Sequence, residues 1–73
     1  QRIYTPSQRY EIWVKQGEKD KNGVMIPLCE LNDTTKWQAD HIVEWNEGGR
    51  TTIENGEILS VSDHSIKTGN YNT

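Results

Sequence analysis

The sequence predicts an α+β domain in which a leading helix is followed by two short strands and a second helix. Three patterns predict it: a helix start near the N-terminus, apolar segments of strand length in the middle, and a capped helical segment near the end. The chain has 73 residues, 32% of them hydrophobic, and a mean hydropathy of −0.92. This composition limits residues 1–73 to one domain with a thin core.

The leading helix is predicted over residues 5–16. Thr5 and Gln8 form a capping-box pattern, and Pro6 occupies the first helical position, where its missing N–H is not needed. Gly17 is a typical left-handed residue after a helix end. The predicted buried stripe consists of three apolar residues at helical spacing: Tyr10, Trp13 and Val14.

The middle of the chain alternates turns and short apolar runs. We predict a brief pairing of residues 24–30 with residues 37–43, because an Asn-Gly turn precedes the first run and a turn-rich segment separates the two. The strand signal continues through Trp45 and ends at Gly48 and Gly49. The first candidate strand is therefore well bounded on its C-terminal side.

The last third predicts a strand followed by a helix. Residues 51–56 have loop composition, and residues 57–61 have the composition of a short strand. A final helix is predicted over residues 62–68, with Ser62 as its N-cap and Gly69 as its stop. The three segments together form a loop-strand-helix unit.

Composition also limits the class of protein. No apolar run approaches the ~20 residues needed to cross a bilayer, and the first residues lack the pattern of a signal peptide, so we expect a cytoplasmic protein without membrane contact. The chain lacks an initiator Met, and we expect it to be a fragment of a larger protein. A net charge of −3 argues against nucleic-acid binding by charge alone. Four basic residues could contact phosphates: Arg2, Lys36, Arg50 and Lys67.

Four residues form the pattern that carries chemistry. Neighbouring residues on a strand point to opposite faces, so Asp40 and His41 must have different roles. Asn55 follows in the next loop and His64 in the last helix, at separations that suit a compact strand-strand-helix unit. Taken singly, His41 is typical of a structural histidine, Asn55 of a turn residue and His64 of an exposed helix residue.

The spaced pattern over roughly residues 29–70 resembles the HNH nuclease family, the ββα-metal endonucleases. The leading helix, with Gln8 and Arg9, is similar to the helix that often precedes this motif in bacterial restriction-type proteins. The matching residues are Asp40-His41-Ile42, Gly48-Gly49, Thr51-Thr52, Glu54-Asn55, Leu59, His64 and Lys67.

The resemblance implies a ββα-metal hairpin-helix unit after the leading helix, and a hydrolytic site. It implies that His41 is the general base that takes a proton from water and that Asn55 holds His41 in place. It implies that Asp40 and His64 bind one divalent metal ion, for which we expect Mg²⁺, with Mn²⁺, Ni²⁺ or Zn²⁺ as alternatives. The expected function is metal-dependent hydrolysis of DNA phosphodiester bonds.

The resemblance also implies partners. We expect double-stranded DNA as the substrate, other domains of a bacterial or phage restriction or defence protein, and a homodimer as one way to supply two sites for a double-strand break. Two other functions stay open: a catalytically silent HNH-like module that binds DNA or a partner, and a small structural domain with an accidental match. Metal-dependent cleavage and metal titration distinguish them.

The sequence departs from the family at a second metal site. Many members carry two CxxC pairs that bind a structural zinc, but here Cys29 is the chain's one cysteine, which also excludes an internal disulfide. We therefore expect no structural zinc and expect the three tryptophans, Trp13, Trp37 and Trp45, to replace it by packing. The positions that correspond to the zinc ligands are Cys29, Asn32, Ser60 and Asp63.

Overall fold

A computed structural model describes residues 3–71 and the side chains of residues 3–67. It contains helix α1 (Pro6–Lys15), strand β1 (Trp37–His41), strand β2 (Gly56–Ser60) and helix α2 (Val61–Tyr71). Two short 3-10 helices, Leu28–Glu30 and Trp45–Glu47, lie in the connections. The order of elements confirms the predicted α+β class, with a leading helix before a hairpin and a second helix. None of the helices described is long and apolar enough to cross a membrane.

Helix α1 begins and ends as its sequence predicts. The Thr5 hydroxyl accepts a hydrogen bond from the Gln8 N–H, and the Gln8 side chain accepts one from the Thr5 N–H, which completes the capping box. After the helix, Gly17 adopts a φ of +76°. The N–H groups of Gly17 and Glu18 donate to the carbonyls of Val14 and Trp13, so the last helical carbonyls have partners.

The two strands form an antiparallel hairpin between the two helices. The register runs from Trp37 opposite Ser60 to His41 opposite Gly56. Helix α1 lies against one face so closely that a Cβ atom on Gly56 would be 2.3 Å from Ile12 Cδ1. Helix α2 covers the other face, where Lys67 reaches a carboxylate on each strand. Both faces of this small sheet are therefore covered.

The core lies mainly between α1 and the hairpin, and the loop before β1 closes it. The buried cluster consists of Tyr4, Ile12, Trp13, Ile26, Leu31 and Ile58. The indole N–H of Trp13 donates to the Ile26 carbonyl at 2.9 Å, which satisfies the polar atom of this buried ring. Leu59, on the opposite face of β2, is also fully buried.

The predicted buried stripe of α1 is confirmed at Trp13 and wrong at its other two positions. The buried residues are Arg9, Ile12 and Trp13, whereas Tyr10 and Val14 are about half exposed. Both sets have the same i, i+3, i+4 spacing, so periodicity alone could not choose between them. The stripe begins with a charged residue because the Arg9 guanidinium has backbone carbonyls as partners inside the fold.

The predicted pairing of residues 24–30 with residues 37–43 is also wrong. Strand β1 pairs with β2, and residues 24–30 form a single bridge between Lys19 and Met25 before turning into a 3-10 helix. The segment is closed locally, since Asp20 and Val24 are hydrogen-bonded across the turn and the Ile26 N–H donates to Glu18. Pro27 has no N–H to continue a ladder.

Three further details differ from the sequence prediction. Helix α2 begins at Val61, directly after β2, and Gly69 lies within it. The side chain that accepts from the first turn is Ser60 rather than Ser62, because the Ser60 hydroxyl accepts from the Asp63 N–H. Trp45 is not a core residue: it lies in a 3-10 helix and is 40% exposed.

Candidate functional site

A cavity of about 820 Å³, here called the edge cavity, lies beside strand β1. Strand β1 contributes residues 38–41 to its lining and β2 contributes none, so the cavity follows the free edge of the sheet. Arg9 from α1 and His64 from α2 also line it. Three of the four residues predicted from the sequence, Asp40, His41 and His64, therefore meet at one cavity.

Asp40 and His41 leave β1 on opposite faces, as their alternation predicts. Asp40 lies on the face covered by α2, and its Oδ1 accepts from the backbone N–H of His41 at 2.8 Å. His41 lies on the face covered by α1, with its ring centroid 5.0 Å from that of Tyr4. Both side chains line the edge cavity because they lie at the end of the strand.

The His41 ring is held from three sides. It is 7% exposed, its Nε2 lies 2.9 Å from the Thr51 hydroxyl, and the Trp45 ring lies 6.0 Å away. One imidazole nitrogen is therefore committed to a hydroxyl.

Asn55 connects the two ends of the loop that follows His41. Its Oδ1 accepts from the Val43 N–H at 2.8 Å, and its Nδ2 donates to the carbonyls of Val43 (3.1 Å) and Arg50 (2.8 Å). The Asn55 carbonyl also accepts from the Ile42 N–H at 2.8 Å. These bonds fix the backbone immediately after His41, although the Asn55 side chain does not touch the imidazole in any of them.

Gly49 lets this loop close. A Cβ atom at position 49 would lie 1.7 Å from the Val43 carbonyl oxygen and 2.9 Å from Asn55 Nδ2. The preceding Gly48 has a φ of +91° but open space around it. The Gly-Gly pair therefore has two different functions, a left-handed turn at Gly48 and close backbone contact at Gly49.

Lys67 is the electrostatic centre of the α2 side of the hairpin. Its Nζ lies 3.2 Å from Asp40, 3.2 Å from Glu44 and 3.3 Å from Glu57, and donates to the His41 carbonyl at 2.7 Å. Asp40 and Glu57 are direct cross-strand neighbours, which would repel each other without a cation between them. Lys67 thus ties α2 to both strands and to the backbone of His41.

Burial lowers the pKa of Lys67, but the nearby carboxylates of Asp40, Glu44 and Glu57 outweigh it and raise the pKa well above its ordinary value. Lys67 is therefore a fixed cation engaged with protein groups, not the phosphate contact suggested by its charge. Of the other suggested contacts, Lys36 pairs with Glu30 at 3.5 Å, and Arg50 is exposed. Arg2 lies outside the described residues.

The residues that could hold a metal ion at this cavity are Asp40 and His64. They come from β1 and α2, line the same cavity, and offer a carboxylate and an imidazole, which suit a divalent ion that keeps water ligands. Among residues 3–67, no group of three or more His, Cys, Asp or Glu side chains is arranged to hold a metal ion. Asp40 is also one of the three carboxylates around the Lys67 ammonium. The donor set thus fits a two-ligand site with room for solvent and substrate.

The residues at the family's zinc positions are not arranged as a set of zinc ligands. Ser60 caps α2, Asp63 accepts from the Asn22 side chain, and Cys29 is exposed. The expectation that no structural zinc binds here stays a prediction. Of the three tryptophans expected to compensate, Trp13 is buried and Trp37 packs against the core, but Trp45 does neither.

Sequence reasoning missed three residues around His41. The sequence pattern includes Thr51 but does not predict its contact with His41, and it predicts neither the Tyr4 contact nor the burial of Arg9. The sequence offers one indication that Arg9 is buried: it lies at i, i+3, i+4 spacing with Ile12 and Trp13 and so shares their helix face. Thr51 and Tyr4 lie in loops, where spacing does not predict contacts.

The chain was compared with protein families, curated proteins and solved structures. A family model described as HNH endonuclease matches residues 27–70, which include β1, β2 and most of α2. The search of curated proteins found no match, and the search of solved structures found none. The matched segment contains Asp40, His41, Asn55 and His64.

Proposed function

Because this chain belongs to the HNH endonuclease family, we propose that it hydrolyses DNA phosphodiester bonds with His41 as the general base and one divalent metal ion. HNH nucleases act on DNA and typically use such an ion. One observation carries the proposal for this chain: His64 of α2 lines the same cavity as Asp40 and His41 of β1.

His41 takes the proton from the attacking water. With the Thr51 hydroxyl accepting from Nε2–H, the lone pair on Nδ1 receives that proton, the water oxygen bonds to phosphorus, and the bond to the 3′ oxygen breaks. Burial between Tyr4 and Trp45 keeps the ring in one orientation. Asn55 is a positioning residue, since its bonds to the Val43 backbone fix the strand end that carries His41.

Asp40 and His64 hold the metal ion. When bound, a divalent ion supplies a Lewis acid for the charge on the phosphate and on the departing oxygen. We propose Mg²⁺ as the ion, with Mn²⁺, Ni²⁺ or Zn²⁺ as alternatives that an imidazole ligand accepts. Lys67 orients Asp40 by its 3.2 Å ion pair.

The test is cleavage of supercoiled plasmid DNA by the chain and by two variants, His41→Ala and His64→Ala, over a range of Mg²⁺ and Mn²⁺ concentrations and in EDTA. We expect His41→Ala to lower the rate at saturating metal by about 10²- to 10⁴-fold, because it removes the base. We expect His64→Ala to raise the metal concentration needed for half-maximal rate, because it removes a ligand.

The matched control is Ser65→Ala, an exposed position beside His64 on α2. It should cut like the unaltered chain. If the unaltered chain binds the metal but cuts no DNA under any of these conditions, the domain is a silent HNH-like module. Cutting that persists in EDTA would contradict the metal-dependent mechanism.

A further inference from the structure

Arg9 has a buried positive charge that the proposed mechanism does not use. The side chain is 8% exposed, and its guanidinium forms no ion pair with any residue that the structure describes. Burial alone lowers the pKa of Arg9, and no carboxylate opposes that effect. A buried charge usually has a counter-charge, so an arginine without one has an incomplete environment.

The hydrogen bonds of Arg9 are also incomplete. Nη2 donates to the Leu31 carbonyl at 2.7 Å and to the Trp37 carbonyl at 3.2 Å, which ties α1 to the segment before β1. Nε is enclosed but has no acceptor. Neither bond uses Nη1, so its two N–H donors are uncommitted among residues 3–67. Guanidinium groups of this kind are suited to bind phosphate oxygens.

The position of Arg9 would let it contact a phosphate in the edge cavity. Arg9 lines the edge cavity together with Asp40, His41 and His64. The other basic residues described near the hairpin offer less, since Lys67 is engaged by three carboxylates. An anionic polymer that enters this cavity would otherwise meet a mainly acidic chain with a net charge of −3.

We propose that Arg9 is a phosphate-binding residue that holds the DNA backbone in the edge cavity, beside the bond to be cut. The inference deepens the proposed nuclease function and rests on it for the identity of the polymer. Arg9 binds the phosphodiester, whose negative charge is the counter-charge that the fold does not give to Arg9. Its two carbonyl contacts hold the guanidinium in place before DNA arrives, so little conformational freedom is lost on binding.

The first test observes Arg9 directly in the unaltered chain. In EDTA, where no cleavage occurs in the proposed mechanism, a ¹⁵N-labelled sample is titrated with a short DNA duplex, and the Arg9 Nε–Hε resonance is followed by NMR. We expect this resonance to shift with the same dissociation constant as backbone amides around the cavity. An Arg9 resonance that stays fixed while DNA shifts other amides, or an absence of any shift at millimolar DNA, overturns the proposal.

The second test separates phosphate binding from structural support. Fluorescence anisotropy in EDTA gives duplex affinity as a function of salt for Arg9→Gln, Arg9→Lys and a control, Lys19→Gln, which removes the same charge at the exposed residue bridged to Met25. We expect Arg9→Gln to lower affinity about tenfold and to reduce the salt slope by about one, with partial rescue in Arg9→Lys. An unchanged slope in a folded Arg9→Gln protein overturns the proposal.

The two tests also separate this inference from the nuclease function. DNA-dependent shifts at Arg9 without plasmid cleavage would support the binding role and reject the hydrolytic one. Cleavage with an unmoved Arg9 resonance would do the reverse.

Discussion

At the scale of single residues, the chemistry of the site depends on which His41 nitrogen keeps its proton. The Thr51 hydroxyl lies 2.9 Å from Nε2, and in the proposed mechanism it accepts from Nε2–H, so that Nδ1 is the base. Asp40 and Lys67 act on the backbone side of the same residue, through its N–H and its carbonyl. His41 is therefore held at both ends.

The role of Thr51 gives a prediction for catalysis. Thr51→Val removes the hydroxyl at nearly constant volume, so we expect kcat for plasmid cleavage to fall about 10- to 100-fold with little change in KM. Thr51→Ser keeps the hydroxyl and should keep most of the rate. A Thr51→Ser variant as slow as Thr51→Val would show that the methyl group, not the hydrogen bond, is what matters.

The residues of the candidate site could be predicted from their spacing in the sequence, but the environments of Lys67 and Arg9 could not. Asp40, His41, Asn55 and His64 are recognisable because their spacing follows the order of strand, loop and helix. The three-carboxylate environment of Lys67 could not be predicted, because it depends on cross-strand register and on the rotation of α2. A buried Arg9 was equally hidden, since arginine is mostly exposed in proteins.

At the scale of elements, local signals succeeded where the chain closes on itself over a few residues. The capping box and the Gly17 turn of α1 are contained in the sequence around them. The pairing of β1 depended on which of two apolar runs lies beside it after folding, which local patterns do not contain. The predicted N-cap of α2, Ser62, is wrong because Ser60 both ends a strand and caps the helix.

The loop between β1 and β2 supplies a prediction for stability with a matched pair of variants. Gly49→Ala would force a Cβ atom against the Val43 carbonyl, so we expect about 3 kcal/mol of destabilisation and a loss of cleavage. Gly48→Ala only strains a left-handed residue in open space and should cost about 1 kcal/mol. Urea unfolding measures both, and equal effects would contradict the close contact at Gly49.

At the scale of the whole molecule, a thin core is supplemented by one ion cluster that joins β1, β2 and α2. The side chains of Lys67, Asp40, Glu44 and Glu57 are each 17–19% exposed, so solvent screens them only in part. Replacing the lysine would leave three carboxylates facing each other. We expect Lys67→Met to lower the free energy of unfolding at pH 7 by about 2 kcal/mol.

The raised pKa of Lys67 gives this cluster a pH dependence. Lys67 contributes fully to the free energy of unfolding below the pKa of an unfolded lysine, ~10.4. This contribution is lost, by about 1.4 kcal/mol per pH unit, as the pH rises toward the higher pKa of Lys67 in the folded state. Burial also raises the pKa of Tyr4, so its ionisation lowers the free energy of unfolding in the same alkaline range. Urea unfolding at pH 7, 9 and 11.5 should therefore show stability falling above about pH 10.

The Lys67→Met variant lacks the lysine contribution but keeps that of Tyr4. The difference in free energy of unfolding between the unaltered chain and this variant should become smaller between pH 9 and pH 11.5. Lys36→Met, at an exposed ion pair, is the control and should track the unaltered chain. A Lys67→Met deficit that stays constant with pH would mean that the lysine contributes through packing of its alkyl chain alone.

The position of the cavity along a free strand edge also determines which shapes of polymer can reach His41. A pocket sunk into the end of a barrel admits a strand only by its terminus. Here several residues of the rim, including Asn32, Thr34 and Asn46, are exposed beside β1. A polymer can therefore lie down along this edge from the side, so a covalently closed circle with no terminus at all is as accessible as a linear fragment.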